Sequence, residues 1–209
     1  MFVSAVLLAA GSSSRFGSPK LLAEVGGEPI LRRVTGAFCN AGFDDVLVVL
    51  QKGKGDGLLR LLRGVIRDLQ GPVRFVENPE WRNGMFTSVK AGLRELDSRS
   101  THVAVSPADL PFLGEDALRT ELHAAVSLDE RTLLVPTHEG RRGHPLLFSV
   151  SLVSRILSWP DDRRLSLLLA EPDLSVLHLE GFDDGIFRDV DRPEDLPVPS
   201  LPKKSAVTS

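Results

Sequence analysis

The regular alternation of short apolar runs with amphipathic segments constrains the fold most strongly. Four apolar runs are short and flanked by turn formers, as strands buried on both faces of a sheet would be: residues 2–8 (FVSAVLL), 46–50 (VLVVL), 73–76 (VRFV) and 102–105 (HVAV). Between them, the apolar residues recur three and four positions apart, which is the helical period, in residues 30–41, 58–69 and 86–96. This order predicts a Rossmann-like three-layer α/β sandwich with a mostly parallel central sheet.

The second half of the chain alternates less regularly. Residues 114–128 predict a fourth helix. Shorter strands are predicted at residues 133–136, 145–148, 176–179 and 186–190, and further helices near residues 152–159 and 164–171. Ligands of such sheets bind beyond the carboxyl ends of the strands. We therefore expect functional residues in the loops that follow Leu8, Leu50, Val76 and Val105.

Length and charge exclude several classes of protein. A chain of 209 residues fits one domain, since single cores grow to roughly 250 residues, and we expect residues 1–196 to form it. Residues 197–209 contain three prolines and are predicted to be a disordered tail.

The net charge of −3 argues against nucleic acid as a partner. No apolar run approaches the roughly 18 residues that cross a membrane, so we expect a cytoplasmic protein, with its lone cysteine, Cys39, in the core.

The segment LAAGSSSRFGSPK, residues 8–20, follows the first predicted strand. Its small residues allow several backbone N–H groups to face an anion, and Arg15 and Lys20 add two positive charges that suit a nucleoside triphosphate. Lys20 lies between Pro19 and Leu21, which does not fit a Walker loop, and the glycine spacing does not fit the dinucleotide fingerprint. The alternative is a serine-rich connection without function.

Two acidic positions are candidate metal ligands, because Mg²⁺ commonly takes one or two carboxylates together with phosphate oxygens and water. Asp109 follows the fourth strand in SPADLPFL, and its alternative role is to cap a helix. Asp191 ends the predicted strand 186–190 in FRDVDRPEDL. Because side chains alternate along a strand, Asp189 would face away, and only one of the pair could serve the site. Asp191 could equally cap a helix that starts at Pro193.

Residues 78–88, NPEWRNGMFTS, follow the third strand. Gly84 permits a close backbone approach, and Thr87 or Ser88 can hydrogen-bond a base or a ribose. The alternative is that the same residues cap a helix while Trp81 packs in the core. By contrast, residues 53–57, GKGDG, are predicted to be a surface turn.

Residues 140–148, GRRGHPLLF, place two arginines, a glycine and a histidine before an apolar strand. Arginines suit the phosphate of an acceptor substrate, and His144 could orient that phosphate or assist proton removal. A structural histidine is the alternative.

These motifs together resemble a known family. LAAG-S-x-x-R-x-G-x-x-K is similar to the signature of the nucleotidyltransferases related to the molybdopterin-guanine-dinucleotide and molybdenum cofactor cytidylyltransferase enzymes. SPADLP, NPEWRNGMFTS, RRGHPLLF and DVDRPEDL resemble further motifs of that family, so the resemblance spans Leu8 to Asp191. Leu110 and Arg192 depart from its usual Gln and Thr. The second alanine, Ala10, resembles the cytidylyl branch and implies CTP.

The resemblance also implies a fold of the nucleotide-diphospho-sugar transferase type and roles for individual residues. The catalytic residues would be Arg15, Lys20 and Asp109. The nucleotide would be bound by Leu8, Ala9, Ala10, Gly11, Arg15, Lys20, Asn78, Gly84, Ser88 and Asp109. The acceptor would be bound by Arg142, Gly143 and His144, and Mg²⁺ by Asp109 and Asp191.

The implied reaction moves CMP from CTP onto the terminal phosphate of molybdopterin and releases pyrophosphate. The product would pass to a molybdoenzyme or its maturation factor. Three alternatives stay open: the same chemistry with GTP or a sugar-phosphate acceptor, a nucleotide-binding accessory protein without catalytic activity, and a plain structural or interaction domain.

Overall fold

The central element of the protein is a mixed, mostly parallel β-sheet. The computed structural model describes residues 1–11, 16–53 and 56–196. Within these residues, eight strands form one sheet with the order β10-β7-β9-β6-β1-β4-β5, with β8 paired to β7, and β2 and β3 form a separate hairpin. The strands are β1 Val3–Leu8, β2 Glu24–Val25, β3 Glu28–Pro29, β4 Asp45–Gln51, β5 Val73–Asn78, β6 His102–Pro107, β7 Thr132–His138, β8 Arg141–Arg142, β9 Leu146–Ser149 and β10 Ser175–Leu179.

The predicted parallel arrangement is confirmed for the first half of the chain. β1 pairs in parallel with β4 and β6, and β4 pairs in parallel with β5. β9 is the exception, since it runs antiparallel to both β6 and β7. The connection from β7 to β9 is too short for a parallel crossover, which needs a dozen or more residues. The chain therefore turns back directly and inserts β9 between two strands of like direction.

Helices cover both faces of the sheet. Their bounds are α1 Ile30–Ala41, α2 Asp56–Val65, α3 Met85–Arg94, α4 Glu115–Ala125 and α5 Val153–Ser158. Because side chains alternate along a strand, Ala5 and Leu7 pack with α1, α2 and α4, whereas Val6 packs with α3 and α5. A Cβ added to Gly92 of α3 would lie 2.3 Å from Cγ1 of Val6, so only glycine allows this close contact between α3 and β1. These layers confirm the predicted three-layer sandwich.

Three predictions for local structure are corrected. Residues 186–190 form no strand: a 3-10 helix spans Asp184–Ile186, and the following N–H groups bond to carbonyls two to four residues back, so this backbone turns. The helix predicted at residues 164–171 is a 3-10 helix, Leu165–Ala170. The surface turn predicted at residues 53–57 is helical from Asp56, where α2 begins.

The remaining expectations concern Cys39, the tail and membranes. Cys39 is partly buried against the core on the α1 face of the sheet, and burial raises the pKa of its thiol. The predicted tail, residues 197–209, lies outside the described residues. A search of the described helices found none with the length and apolar character needed to cross a bilayer.

Candidate active site

The site lies at the carboxyl edge of the parallel strands. Leu8, the last residue of β1, is in register with Val49 of β4 on one side and with Pro107 of β6 on the other. The loops after these three strands therefore leave the sheet side by side. One of them leads to Lys20, which begins a 3-10 helix, Lys20–Leu22, and another leads to Asp109.

Lys20, Asp109 and Asp191 meet in what we call the charged cluster. The Nζ of Lys20 donates to Oδ2 of Asp109 at 2.6 Å and to Oδ1 of Asp191 at 2.9 Å. The side chains of the three residues are 13%, 22% and 34% exposed, respectively. Residues that are far apart in sequence thus converge in a position that a ligand can reach.

The electrostatics of the cluster keep Lys20 charged. Burial acts to lower the pKa of Lys20, but the charges and hydrogen bonds of Asp109 and Asp191 outweigh it, and the pKa lies above its ordinary value. The pKa of Asp189 is also raised, first by burial and then by the negative charges of Asp191 and Asp109. Three carboxyl groups therefore influence one another at this edge, and a further cation would find a favourable field there.

This geometry corrects the sequence argument about Asp189 and Asp191. That argument assumed a strand in which the two side chains face opposite ways, and the observed turn removes the assumption. The alternative role of Asp191 as a helix cap is also wrong. The carboxylate of Asp195 accepts hydrogen bonds from the N–H groups of Asp191 and Arg192, which leaves the Asp191 side chain facing Lys20.

Backbone contacts hold the Asp191 segment against the neighbouring loops. The N–H of Val190 donates to the carbonyl oxygen of Asp109 at 3.1 Å, and the N–H of His144 donates to the carbonyl oxygen of Ile186 at 2.7 Å. A Cβ added to Gly143 would lie 2.5 Å from Cγ1 of Ile186. The last described segment of the chain is thereby fixed between the Asp109 loop and the GRRGHP motif.

Asp109 and Asp191 fit the chemistry of a divalent metal ion. Both carboxylates reach the same Lys20 nitrogen, so oxygens from the two side chains converge on one small volume. Among the described residues, no group of three or more His, Cys, Asp or Glu side chains is placed to hold a metal ion. A metal at this pair would take its other ligands from phosphate oxygens and water, as Mg²⁺ commonly does.

The start of the predicted phosphate loop is held by a residue that the motifs did not reveal. The Nε2 of Gln51, at the end of β4, donates to the carbonyl oxygens of Ala10 and Gly11 at 2.7 and 2.6 Å. Ala9 and Ala10 are buried, and Gly11 is exposed. A polar residue that ends an apolar strand at the site edge is the sequence signal for Gln51. Arg15 and the three serines before it lie outside the described residues.

Asn78, Thr87 and Ser88 form a second group, the neutral cluster, and they are only 2%, 2% and 3% exposed. The Nδ2 of Asn78 donates to the hydroxyl oxygens of Thr87 and Ser88, both at 2.9 Å, and Thr87 donates to the carbonyl oxygen of Gly84 at 2.8 Å. These bonds hold the loop around Gly84, whose φ is +120°. Contacts of Asn78, Gly84 and Ser88 with a nucleotide stay a prediction.

The structure contradicts the alternative for residues 78–88 in which Trp81 packs in the core. Trp81 is not packed in the core: its ring is partly exposed, and its Nε1 donates to the carbonyl oxygen of Lys52 at 3.2 Å. The indole therefore joins the NPEWRNGMFTS segment to the loop that follows β4.

A cavity of about 630 Å³ opens beside these residues. Its walls come from the end of β1, from the Gly84 loop and the start of α3, from Gly143 and His144, and from residues 161–166. Most of its side chains are apolar, including Phe86, Val89 and Leu146. Arg142, predicted to bind the acceptor, is exposed and does not line the cavity.

His144 faces the cavity with its ring largely buried. Burial lowers the pKa of His144, against the opposing effect of the negative charge of Asp109. The Nδ1 atom is buried without a hydrogen-bond partner among the described residues. Buried polar atoms are normally satisfied, so a neutral imidazole is available here to a bound group.

A mostly parallel α/β sheet with a lysine and two carboxylates at its carboxyl edge defines the class of α/β proteins whose site suits an anionic, phosphate-containing ligand. The family comparison agrees: a model described as the MobA-like NTP transferase domain matches residues 5–176. The chain therefore belongs to the MobA-like NTP transferase family, which confirms the resemblance found in its motifs.

The curated relatives differ in what they act on. The chain is 27% identical to the molybdenum cofactor cytidylyltransferase of Escherichia coli over 126 residues, which cover 60% of this chain and 62% of that protein. It is 30% identical to the 2-C-methyl-D-erythritol 4-phosphate cytidylyltransferase of Symbiobacterium thermophilum over 139 residues, 66% of this chain and 56% of that one. It is 27% identical to the nicotine blue oxidoreductase of Paenarthrobacter nicotinovorans over 206 residues, 93% and 94% of the two chains.

Solved structures show the same fold. A Mycobacterium tuberculosis protein determined in complex with manganese is 21% identical, with a TM-score of 0.71 over 93% of this chain and 96% of that one. The chain spans 32% to 62% of the length of several curated relatives that it matches.

Proposed function

We propose that this chain is a Mg²⁺-dependent nucleotidyltransferase that moves CMP from CTP onto the terminal phosphate of molybdopterin and releases pyrophosphate. The observation that carries the proposal is the charged cluster, in which Lys20 joins Asp109 to Asp191 at the carboxyl edge of the sheet. An ammonium group and two convergent carboxylates are the groups needed to bind a triphosphate together with a divalent cation.

In this proposal an acceptor phosphate oxygen attacks the α-phosphorus of CTP in line, and the bond to the leaving pyrophosphate breaks. Lys20 neutralises charge that develops on the pyrophosphate, and Arg15 is predicted to assist. Asp109 and Asp191 would hold Mg²⁺, which supplies further positive charge to the phosphate oxygens. Catalysis depends on positioning and electrostatics, with no covalent enzyme intermediate.

The cavity supports a pterin as the acceptor. Its walls are mainly apolar and suit the face of a flat heterocycle, while Asp161, Arg163 and Arg164 of the same lining offer partners for its polar edge. Its position beside the Leu8 end of β1 and at His144 would put the acceptor phosphate near the nucleotide. The relative that acts on the molybdenum cofactor supports this acceptor, and Ala10 supports CTP. A molybdoenzyme or its maturation factor would receive the product.

The test is pyrophosphate release from CTP, GTP, ATP and UTP with Mg²⁺, each measured with molybdopterin, with a sugar phosphate and without an acceptor. We expect rapid release only from CTP with molybdopterin. Faster release with GTP or with the sugar phosphate would overturn the finer assignment. A rise in melting temperature with CTP and Mg²⁺ without any turnover would instead identify a nucleotide-binding accessory protein.

A second candidate follows from the relative named nicotine blue oxidoreductase, because that match covers 93% of this chain. The chain would then transfer electrons to an organic substrate. Oxidation of NADH or NADPH in the presence of an organic dye, with no pyrophosphate release from any nucleotide, would favour this candidate. The charged cluster favours nucleotidyl transfer, since it offers ligands for phosphate and metal.

A further inference from the structure

Lys90 is a buried cation outside the charged cluster. It lies on α3, and its side chain is only 7% exposed. Its Nζ donates to Oδ1 of Asp161 at 2.6 Å and to the carbonyl oxygen of Trp159. Burying an ammonium group costs free energy that an apolar side chain would not, so packing alone does not account for a lysine here.

The position of Lys90 in the sequence is also unusual for a lysine. Phe86, Val89 and Leu93 form the apolar stripe of α3 that packs against the sheet. Position 90 is one residue past Val89 and four past Phe86, which places it on that stripe. A lysine at such a position needs a specific partner, and the structure supplies two.

One partner of Lys90, Asp161, lines the cavity, and the other, Trp159, lies two residues before it in the same segment. Residues 161–166 line the cavity on one side, and Gly84, Met85 and Phe86 line it on another. The rings of Phe86 and Trp159 stack with centroids 6.2 Å apart, and the Nζ of Lys90 lies 5.4 Å from the Phe86 centroid. One buried cation, in the second turn of α3, thus ties this helix to the segment that closes the cavity.

The closing segment has local bonds that set its shape. The N–H of Arg163 donates to the carbonyl oxygen of Pro160 at 3.2 Å, and the Arg163 guanidinium lies 5.1 Å from the Trp159 ring centroid. Such contacts within the turn do not fix its distance from α3. Contacts that cross from α3 to the segment do fix it, namely the two bonds of Lys90 and the stacking of Phe86 on Trp159, and of these α3 side chains only Lys90 contributes a charge.

We propose that Lys90 is a positioning residue that fixes residues 159–166 as the outer wall of the cavity and thereby sets the affinity for the acceptor. The cavity is the acceptor site only under the proposed function, on which this consequence rests. Within the described part of the chain, the hydrogen bonds of Lys90 go to Trp159 and Asp161 and not to the charged cluster, so we expect nucleotide binding to depend on it less than acceptor binding does.

The first experiment needs no substrate and compares amide hydrogen exchange in four full-length variants. Lys90→Met removes the cation, Asp161→Ala removes its exposed partner, Lys90→Arg restores a donor, and Arg94→Met removes an exposed cation from the same helix. Loss of a hydrogen bond to a charged group predicts roughly ten- to a hundredfold faster exchange in residues 159–166. We expect this in the first two variants, partial recovery in Lys90→Arg and no change in Arg94→Met.

The second experiment measures KM for molybdopterin and for CTP in the same variants. Lys90→Met and Asp161→Ala should raise the acceptor KM about tenfold or more, while the KM for CTP stays within about twofold. Asp161→Ala carries the test if Lys90→Met fails to fold. Unchanged exchange in residues 159–166, or a parallel rise of both KM values, would overturn the inference. If the wild type transfers nothing to molybdopterin, the proposed function fails, and the exchange result alone decides whether Lys90 holds the wall.

Discussion

The charged cluster and the neutral cluster come from motifs that the sequence presents alike, yet their physical states differ. Lys20, Asp109 and Asp191 carry charge and stay partly exposed. Asn78 and its partners are neutral, almost wholly buried and bonded to one another. The difference teaches that motifs of similar appearance can have different roles: under the proposed function the exposed residues would meet the ligand, whereas the buried ones hold a loop in shape.

The largest expected effect tests the charged cluster. Lys20→Ala and Asp109→Asn should each lower the rate of transfer by about 10²–10³-fold, the range found when one electrostatic contact to a transition state is removed. Because these side chains are partly exposed, the fold should persist. Steady-state rates and circular dichroism melting check both expectations. Arg131→Ala, which removes an exposed cation at the amino end of β7, is the control. Undiminished turnover in Lys20→Ala would contradict the proposed mechanism.

The next effect tests the neutral cluster through stability. Asn78→Ala removes the donor to Thr87 and Ser88 and the acceptor for the N–H of Glu80. Buried groups left without partners should lower the free energy of unfolding by about 2–3 kcal/mol, measured by urea denaturation. Asn40→Ala, which removes an exposed hydrogen bond to Glu115, is the matched control. An Asn78→Ala variant with normal stability and abolished transfer would show that the two clusters do the same work.

A smaller effect comes from Glu121, which is 0% exposed on α4 and whose carboxyl oxygens have no hydrogen-bond partner among the described residues. Burial raises its pKa well above the ordinary 4.5. The unfolded chain therefore releases the proton near pH 4.5 while the folded chain keeps it, so this group lowers stability as pH rises from 4.5 towards the folded pKa. Glu121 thus contrasts with Asn78, whose buried amide group makes hydrogen bonds with Thr87, Ser88 and the N–H of Glu80.

Glu121→Gln removes this titration. We expect it to raise the free energy of unfolding by about 1–2 kcal/mol at pH 8 and by less at pH 5, in urea denaturation at the two pH values. Glu115→Gln, at a partly exposed position of the same helix, is the control. An equal change at pH 5 and pH 8 would contradict the assignment of the proton to Glu121.

Sequence patterns predicted the elements whose environment is regular. β1, β4 and β6 are buried on both faces or nearly so, and α1 runs from Ile30 to Ala41 as its apolar spacing predicts. β5 differs from the expectation, because it lies at the edge of the sheet and exposes Arg74 and Glu77. The rule that ligands bind at strand ends was enough to expect Lys20 and Asp109 at one edge. That expectation depended on both loops following the carboxyl ends of parallel strands, which the alternation predicts.

The parts that could not be predicted depend on contacts between distant segments. Ile186 and Val190 are apolar because they are buried against neighbouring loops, and this burial imitates a strand pattern where the backbone turns. Gln51 and Lys90 each donate two hydrogen bonds to distant segments, Gln51 to two carbonyl oxygens and Lys90 to one carbonyl oxygen and one carboxylate. A local sequence pattern cannot identify a partner on another element. The position of Lys90 on the apolar stripe of α3 indicates only that this lysine needs one.

The insertion of β9 between β6 and β7 has a consequence for how such proteins diversify. β9 is reached by a short return from β7, and it carries the GRRGHP motif on its leading edge without passing through β1, β4 or β5. Changes in that hairpin can remodel one wall of the cavity while the strands that present Lys20 and Asp109 keep their register. Under the proposed function, a change of acceptor would then leave the residues proposed to bind the nucleotide in place.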